Sequence, residues 1–514
     1  MTRIEQAGLA VALTAALAGN AAAKVSPEQA AKLGMEGTEL TPFGAIRAGN
    51  ADGTIPAWEG GIKTPPAGYK EGDWYVDPYA DDKILFTITA QNYQQYADKL
   101  SAGQIAMFKK YPDTYKMNVY PTRRSASFPQ WHYDNSIYNA TRADWCNPSP
   151  GPNREKRCLA SDTWKPGVFF PIPNDNAEVM WNHTFRWVGK WYTSLSYGYN
   201  AFPDGSYAEH VKKDRFLMPL WIGPDAGDNW SLTQERFTRL GGGGLCASQE
   251  DVQPPRTAGS IFSACLYLQN TDFDAYLYVP GQRRVRKAPE IGFYDSPGTG
   301  SDGLRTADSR WMYWLTGSEE WYEFSPVKRV EMYIPYNSYK LSQPGLTFKD
   351  IVWAGHNNPE HKRYELHRVW VVEATLRPGL RHLSPHRFAY FDEDSWDGAL
   401  GDMFDARGDL WRVSESYLMN FYNVPVQYFW GDDHSDLISG RHRPSTPSTT
   451  WARKARQRRR TSPRRACPIR SCSPRRGCAS SACGNAHAQG APAGPAGALV
   501  LVSHARLPAP GDPE

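Results

Sequence analysis

Past its N-terminus the chain has no uninterrupted run of about 18 apolar residues, so nothing in its body is long enough to cross a bilayer as a helix. It has no CxxC pair, and 11 and 18 residues separate Cys146 from Cys158 and Cys246 from Cys265, spacings that fit none of the usual zinc frameworks. A GxSxG elbow, a Walker loop and an HExxH are all missing, so three common catalytic chemistries have no foothold. Basic charge is scarce as well. Residues 1–440 carry 44 basic against 52 acidic side chains, a net −8, whereas 14 basic and two acidic residues follow. An acidic body gives no reason to expect a nucleic-acid partner.

Rings are abundant instead: 13% of the chain is aromatic, with 19 Trp and 28 Tyr. Such a supply either fills a broad sheet-on-helix core or meets a ligand. The first residues read as an export signal. Arg3 is the positive start, Ala7 to Gly19 the apolar run, and Ala21-Ala22-Ala23 the small residues of a cleavage site near Ala23, which places the mature protein in the periplasm. No Cys stands at that point to take a lipid anchor. For an exported chain, Cys146 with Cys158 and Cys246 with Cys265 are candidate disulfides in loop-like segments, other pairings remaining open.

The body is organised around Asp274 to Leu341. Phe273, Ala275, Leu277 and Val279 share one face of a strand, with Asp274, Tyr276 and Tyr278 on the other. Pro280-Gly281 turns the chain into Arg283, Arg284, Val285 and Arg286, a hairpin. Val330, Met332 and Ile334 repeat the period up to Pro335. Upstream, Ser26 with Gln29 and Ser101 with Gln104 form capping boxes, the second inside a helical pair between Thr89 and Tyr111. Ala177 to Arg186 reads as a helix. Trp191 to Asn200 and Ser206 to Val211 flank the turn Pro203-Asp204-Gly205. Asp225 to Ala258 reads as loop-rich. Arg363 to Leu376, Arg387 to Phe391 and Trp411 to Ser416 continue a meander. From Arg441 the chain is rich in Arg, Pro, Ser and Ala and lacks periodicity, as expected of a disordered basic tail, either an out-of-frame product or a basic arm.

Several constellations resolve to ordinary structure. Gly298 to Gly303 matches GxGxxG but lacks the strand before and helix after that a dinucleotide needs. Of His356, His361, His367, His382 and His386, the pair His382-x3-His386 would suit a metal in a helix, but that segment reads as the hairpin around Pro378-Gly379, followed by Pro385, so a structural or exposed role is expected. Asp392, Glu393 and Asp394 form one polar run at a strand's end and read as a solvated turn, not as opposed glycosidase carboxylates. Arg284 and Arg286 alternate onto one face and suit anionic groups. Arg368 interrupts the apolar face of Tyr364, Leu366, Trp370 and Val372, where it either anchors a cargo's polar end or snorkels.

The phrases RRVRKAP, SDGLRTAD, EMYIPYNSYKL, RYELHRVWVVEA, DEDSW and LWRVSE, in that order, resemble those of a family of periplasmic proteobacterial proteins, the domain of unknown function 1329. The resemblance runs from about Ser26 to Gly440. It implies a fold similar to the lipoprotein carriers LolA and LolB: mainly β with helices (α+β), a large antiparallel half-barrel wrapped on helices that shelters an acyl chain. Members often occur with transporters of the resistance-nodulation-division type and outer-membrane proteins, which implies such partners here. The expectation is therefore a signal over 1–23, one carrier-like domain over 24–440, and a tail over 441–514. Its cargo would be a hydrophobic, lipid-like molecule, met by Tyr276, Tyr278, Arg284, Arg286, Arg368 and Trp370. No catalytic residue, cofactor or metal is expected. A carbohydrate-binding or carbohydrate-active protein, and a structural envelope protein without cargo, are the alternatives.

Overall fold

The computed structural model describes residues 24–146, 158–160, 163–221, 242–268, 273–287, 300–306 and 321–447. The expected leader, the centre of the first cysteine loop, Gly298 and Thr299 of the GxGxxG match, and the chain beyond 447 lie outside them. Helix α1, Pro27–Ala30, begins at its capping box, Ser26 accepting from the Gln29 amide at 3.3 Å and donating its own amide to Gln29 Oε1 at 3.2 Å. It ends at Ala30, ahead of Gly34. Strand β1, Phe86–Ile88, leads to a 3₁₀ turn at Tyr93–Lys99 and to helix α2, Ala102–Lys110, whose cap is Ser101 with Gln104. Strand β2, Met117–Val119, precedes α3, Gln130–Ala140. Helix α3 follows Pro129, an N-cap that supplies no side-chain bond. Helix α4, Asn176–Thr184, is capped by Asp175 and buried throughout.

The remaining strands are β3 (Trp191–Ala201), β4 (Tyr207–Leu217), β5 (Gly243–Gln253), β6 (Ile261–Tyr267), β7 (Phe273–Val279), β8 (Arg284–Lys287), β9 (Tyr322–Phe324), β10 (Lys328–Pro335), β11 (Tyr364–Leu376), β12 (His386–Asp392), β13 (Gly398–Phe404), β14 (Leu410–Phe421), β15 (Val426–Asp436) and β16 (Ser445–Pro447). Their order in one open sheet is β1-β2-β11-β12-β13-β14-β15-β16-β3-β4-β5-β6-β7-β8, with β9 and β10 paired on β11. Among the described pairs all are antiparallel except β2 with β11 at Val119 and Tyr364. Helix α2 packs on β13 and β14, and α4 on β11. The α+β half-barrel wrapped on helices is therefore present, and much of the ring supply is spent in its core, where Phe43, Trp181, Trp187 and Trp396 are buried.

Three sequence expectations change here. The loop-rich reading of Asp225 to Ala258 hides β5. Gly244 is not a turn residue: a Cβ there would come within 2.3 Å of the Phe185 ring, so the missing side chain makes room for packing. Cys246 and Cys265 accordingly sit on neighbouring strands, directly opposed, and are disulfide-bonded, as are Cys146 and Cys158. The body also continues past Gly440. His442 and Arg443 are buried, and β16 pairs with β3 on one side and β15 on the other, joining the two halves of the sheet. Gly198 permits this, since a Cβ there would meet the Arg443 guanidinium at 2.3 Å. Finally, the DEDS run is not solvated: Asp392, Glu393 and Asp394 are 0%, 1% and 5% exposed.

Candidate functional site

Strands β3 to β7 form a wing in which the two-residue period separates the faces. The row Tyr192, Phe216, Ala247, Ala264 and Ala275 turns one way, and its rings join the main core. The opposite face carries Trp191, Leu217, Cys246, Cys265 and Asp274, and beside them Thr193, Arg215, Ser248, Ser263 and Tyr276. Leu217 and Tyr276 are 36% and 40% exposed there. Around the disulfide lies an open groove of about 640 Å³, lined in part by Trp191, Leu217, Tyr267 and Tyr276 and predominantly apolar. That volume lies within the range of small-molecule sites, ~300–1,000 Å³.

A second space lies at the seam between β3 and β15. Tyr192, Phe421, Tyr428 and Trp430 wall one end, and Lys212, Asp214 and Arg443 the other. The Tyr192 and Tyr428 hydroxyls meet across the seam at 3.0 Å. At about 60 Å³ it has room for a few waters and not for an acyl chain.

The six residues expected to meet a ligand fall into three places. Tyr276 lines the groove, and Tyr278 follows it on the same face. Arg284 and Arg286 are exposed on β8, opposite Val279 and Leu277, so they share the other face of the hairpin. Arg368 and Trp370 are buried on β11. The Arg368 guanidinium donates to Ala48 O at 3.1 Å and Glu393 Oε1 at 3.3 Å, so the protein itself occupies this cation. Trp370 stacks on Trp396 at 5.3 Å between centroids, with the Arg329 guanidinium 4.4 Å from its own ring.

Arg368 belongs to a buried ionic network that the sequence reading missed. Arg124 grips Asp394 through both oxygens, Nε to Oδ2 at 2.8 Å and Nη2 to Oδ1 at 2.6 Å, and reaches Glu393 at 3.3 Å. Arg329 adds a 2.9 Å bond to Glu393. Beside them Glu365 accepts from Arg363 Nε at 2.6 Å, Asn337 Nδ2 at 2.9 Å and the Arg123 amide at 2.6 Å, and it meets His367 Nε2 at 3.1 Å. These contacts, the Arg363 charge foremost, hold Glu365 below the usual carboxylate range despite its burial. Asp392 moves the other way, raised first by burial and then by the Asp394 charge. The signal available in the sequence was Glu365 and His367, with Arg363 just ahead of them, at two-residue spacing in a strand whose other face is apolar except for Arg368.

A family model described as a protein of unknown function (DUF1329) matches residues 87–463. The chain belongs to the DUF1329 family. An uncharacterized protein of Pseudomonas aeruginosa is 42% identical over 428 residues, 83% of this chain and 89% of that relative. Among solved structures, a DUF1329 protein from Desulfovibrio piger overlaps with TM-score 0.33 at 11% identity, over 53% of this chain and 89% of its own. A "putative outer membrane lipoprotein-sorting protein domain" from Vibrio parahaemolyticus gives 0.35 at 12%, over 53% and 89%. A LolA superfamily protein from Nitrosomonas europaea gives 0.29 at 9%, over 52% and 87%. These overlaps are loose, and the architecture above stands on its own strand pairing. Three of the phrases that resemble DUF1329, EMYIPYNSYKL, RYELHRVWVVEA and DEDSW, meet in the buried network: Asn337, Glu365, His367 and Asp394 come from them.

Proposed function

We propose that this DUF1329 protein is a periplasmic carrier for an apolar, acyl-bearing molecule, with no chemistry of its own. The groove of about 640 Å³ on a face of the wing that no described residue covers is the observation that carries this reading. Each methylene removed from water contributes about 0.8 kcal/mol, so roughly fifteen buried methylenes, about 12 kcal/mol, offset a loss of motion costing about 4 kcal/mol and leave the about 8 kcal/mol of micromolar affinity. Two disulfides fit an oxidising compartment. Among the described residues no helix is long and apolar enough to cross a membrane. In the cell the cargo would pass between a transporter of the resistance-nodulation-division type and outer-membrane proteins. Two opposed carboxylates facing a cleft would favour a carbohydrate enzyme; Glu393 and Asp394 are buried and held by arginines.

Titration with a fluorescent fatty acid tests the proposal. Saturable uptake is expected, weakened about tenfold or more by Leu217→Asp, which puts a charge into the groove without touching the core. No saturable uptake by the native chain contradicts it.

A further inference from the structure

His367 and Asp392 are each held at one atom and turn the other toward one another. The His367 Nε2–H donates to Glu365 Oε2 at 3.1 Å, which leaves the lone pair on Nδ1. Asp392 Oδ2 accepts from the Ser395 hydroxyl at 2.6 Å and the Tyr336 hydroxyl at 3.2 Å, while Oδ1 has no hydrogen-bond partner on a side chain that is 0% exposed. His367 Nδ1 and Asp392 Oδ1 face each other at 3.7 Å. That gap is too long for a hydrogen bond and close to the span between two ligands each roughly 2.0–2.2 Å from one ion. Asp394 supplies a third atom, and the three lie within 4.8 Å of one another.

We propose that His367, Asp392 and Asp394 bind a divalent transition ion of the zinc class, in a closed site with a structural role. One imidazole and two carboxylates form a borderline ligand set suited to such ions. The surroundings match what orients metal ligands: a carboxylate behind the imidazole, Arg363 and Asn337 behind that carboxylate, and Arg124 behind Asp394, whose oxygens keep further lone pairs. Charge points the same way. Glu393, Asp394 and Glu365 each touch an arginine, and Asp392 touches none among the described residues. A cation would compensate the one carboxylate of these four that has no guanidinium beside it.

The test is metal analysis of the full chain, expressed in zinc-supplemented medium and purified without chelator, beside Asp392→Asn, His367→Gln and Glu365→Gln. About one zinc per native chain is expected, less than a tenth of that in the Asn and Gln variants at the two ligands, and about 10–100-fold weaker zinc in chelator competition for Glu365→Gln. Far-UV circular dichroism separates loss of metal from loss of fold. Should the ligand variants not fold, the Glu365→Gln competition decides, and native-like affinity there overturns the site. A native chain without zinc, or folded ligand variants that keep theirs, overturns it equally.

Discussion

Strand β11 is buried over nine successive residues, Tyr364 to Val372, whereas β4 mixes exposed and buried positions and β8 is exposed along its length. Both regions belong to one sheet and obey the same pairing geometry, so the difference lies in what covers them. Over β11 to β15 helices and N-terminal segments pack from above, and every polar group taken inside needs a partner, which is why Arg124, Arg329 and Arg368 converge on Glu393 and Asp394. Over one face of the wing no described residue packs as a cover, and that surface is where a ligand would displace water. The covered half secures the fold; the proposed carrier role assigns the cargo to the other half.

Breaking the covered half should cost most. Arg124→Ala leaves Asp394 buried without its cation, an expected loss of about 3–5 kcal/mol by denaturant unfolding. Breaking the wing should cost less and stay local: replacing Cys246 and Cys265 together by Ser is expected to cost about 2–4 kcal/mol and to raise hydrogen exchange in β5 and β6 ahead of β11. A third change sharpens the contrast through pH. His132 sits among the rings of Phe43, Phe128, Trp187 and Trp221, both ring nitrogens lack a hydrogen-bond partner, and burial pulls its pKa down to about 3. The unfolded chain takes up a proton near pH 6.5 and the folded chain does not, so this group's stability is present above 6.5 and is lost as pH falls toward 3. His132→Phe should remove that slope, a relative gain of about 2 kcal/mol at pH 5 measured as unfolding free energy against pH. The smallest effect belongs to Arg284 and Arg286. Their double replacement by Ser should change stability by less than about 0.5 kcal/mol and leave fatty-acid uptake unaltered, because they face away from Tyr276.

Local chemistry was legible in the sequence. Ser26 and Ser101 cap the helices expected of them, Pro203-Asp204-Gly205 turns β3 into β4, and the period of Tyr364 to Leu376 marks β11. What escaped was decided at a distance. Gly244 reads as a loop residue until Phe185 is placed beside it, and Arg443 reads as tail until Gly198 makes space for it. The partner that buries Asp394 lies 270 residues away, so no local pattern distinguishes DEDS from a solvated turn. The groove escaped for a related reason: Leu217, Cys246 and Tyr276 come from separate strands and share a face only through register.

Native mass spectrometry with lipid extraction, on protein purified from the periplasm, tests the carrier reading most directly. A stoichiometric apolar adduct that Leu217→Asp removes is the predicted result. An empty native chain that also takes up no fatty acid would contradict it.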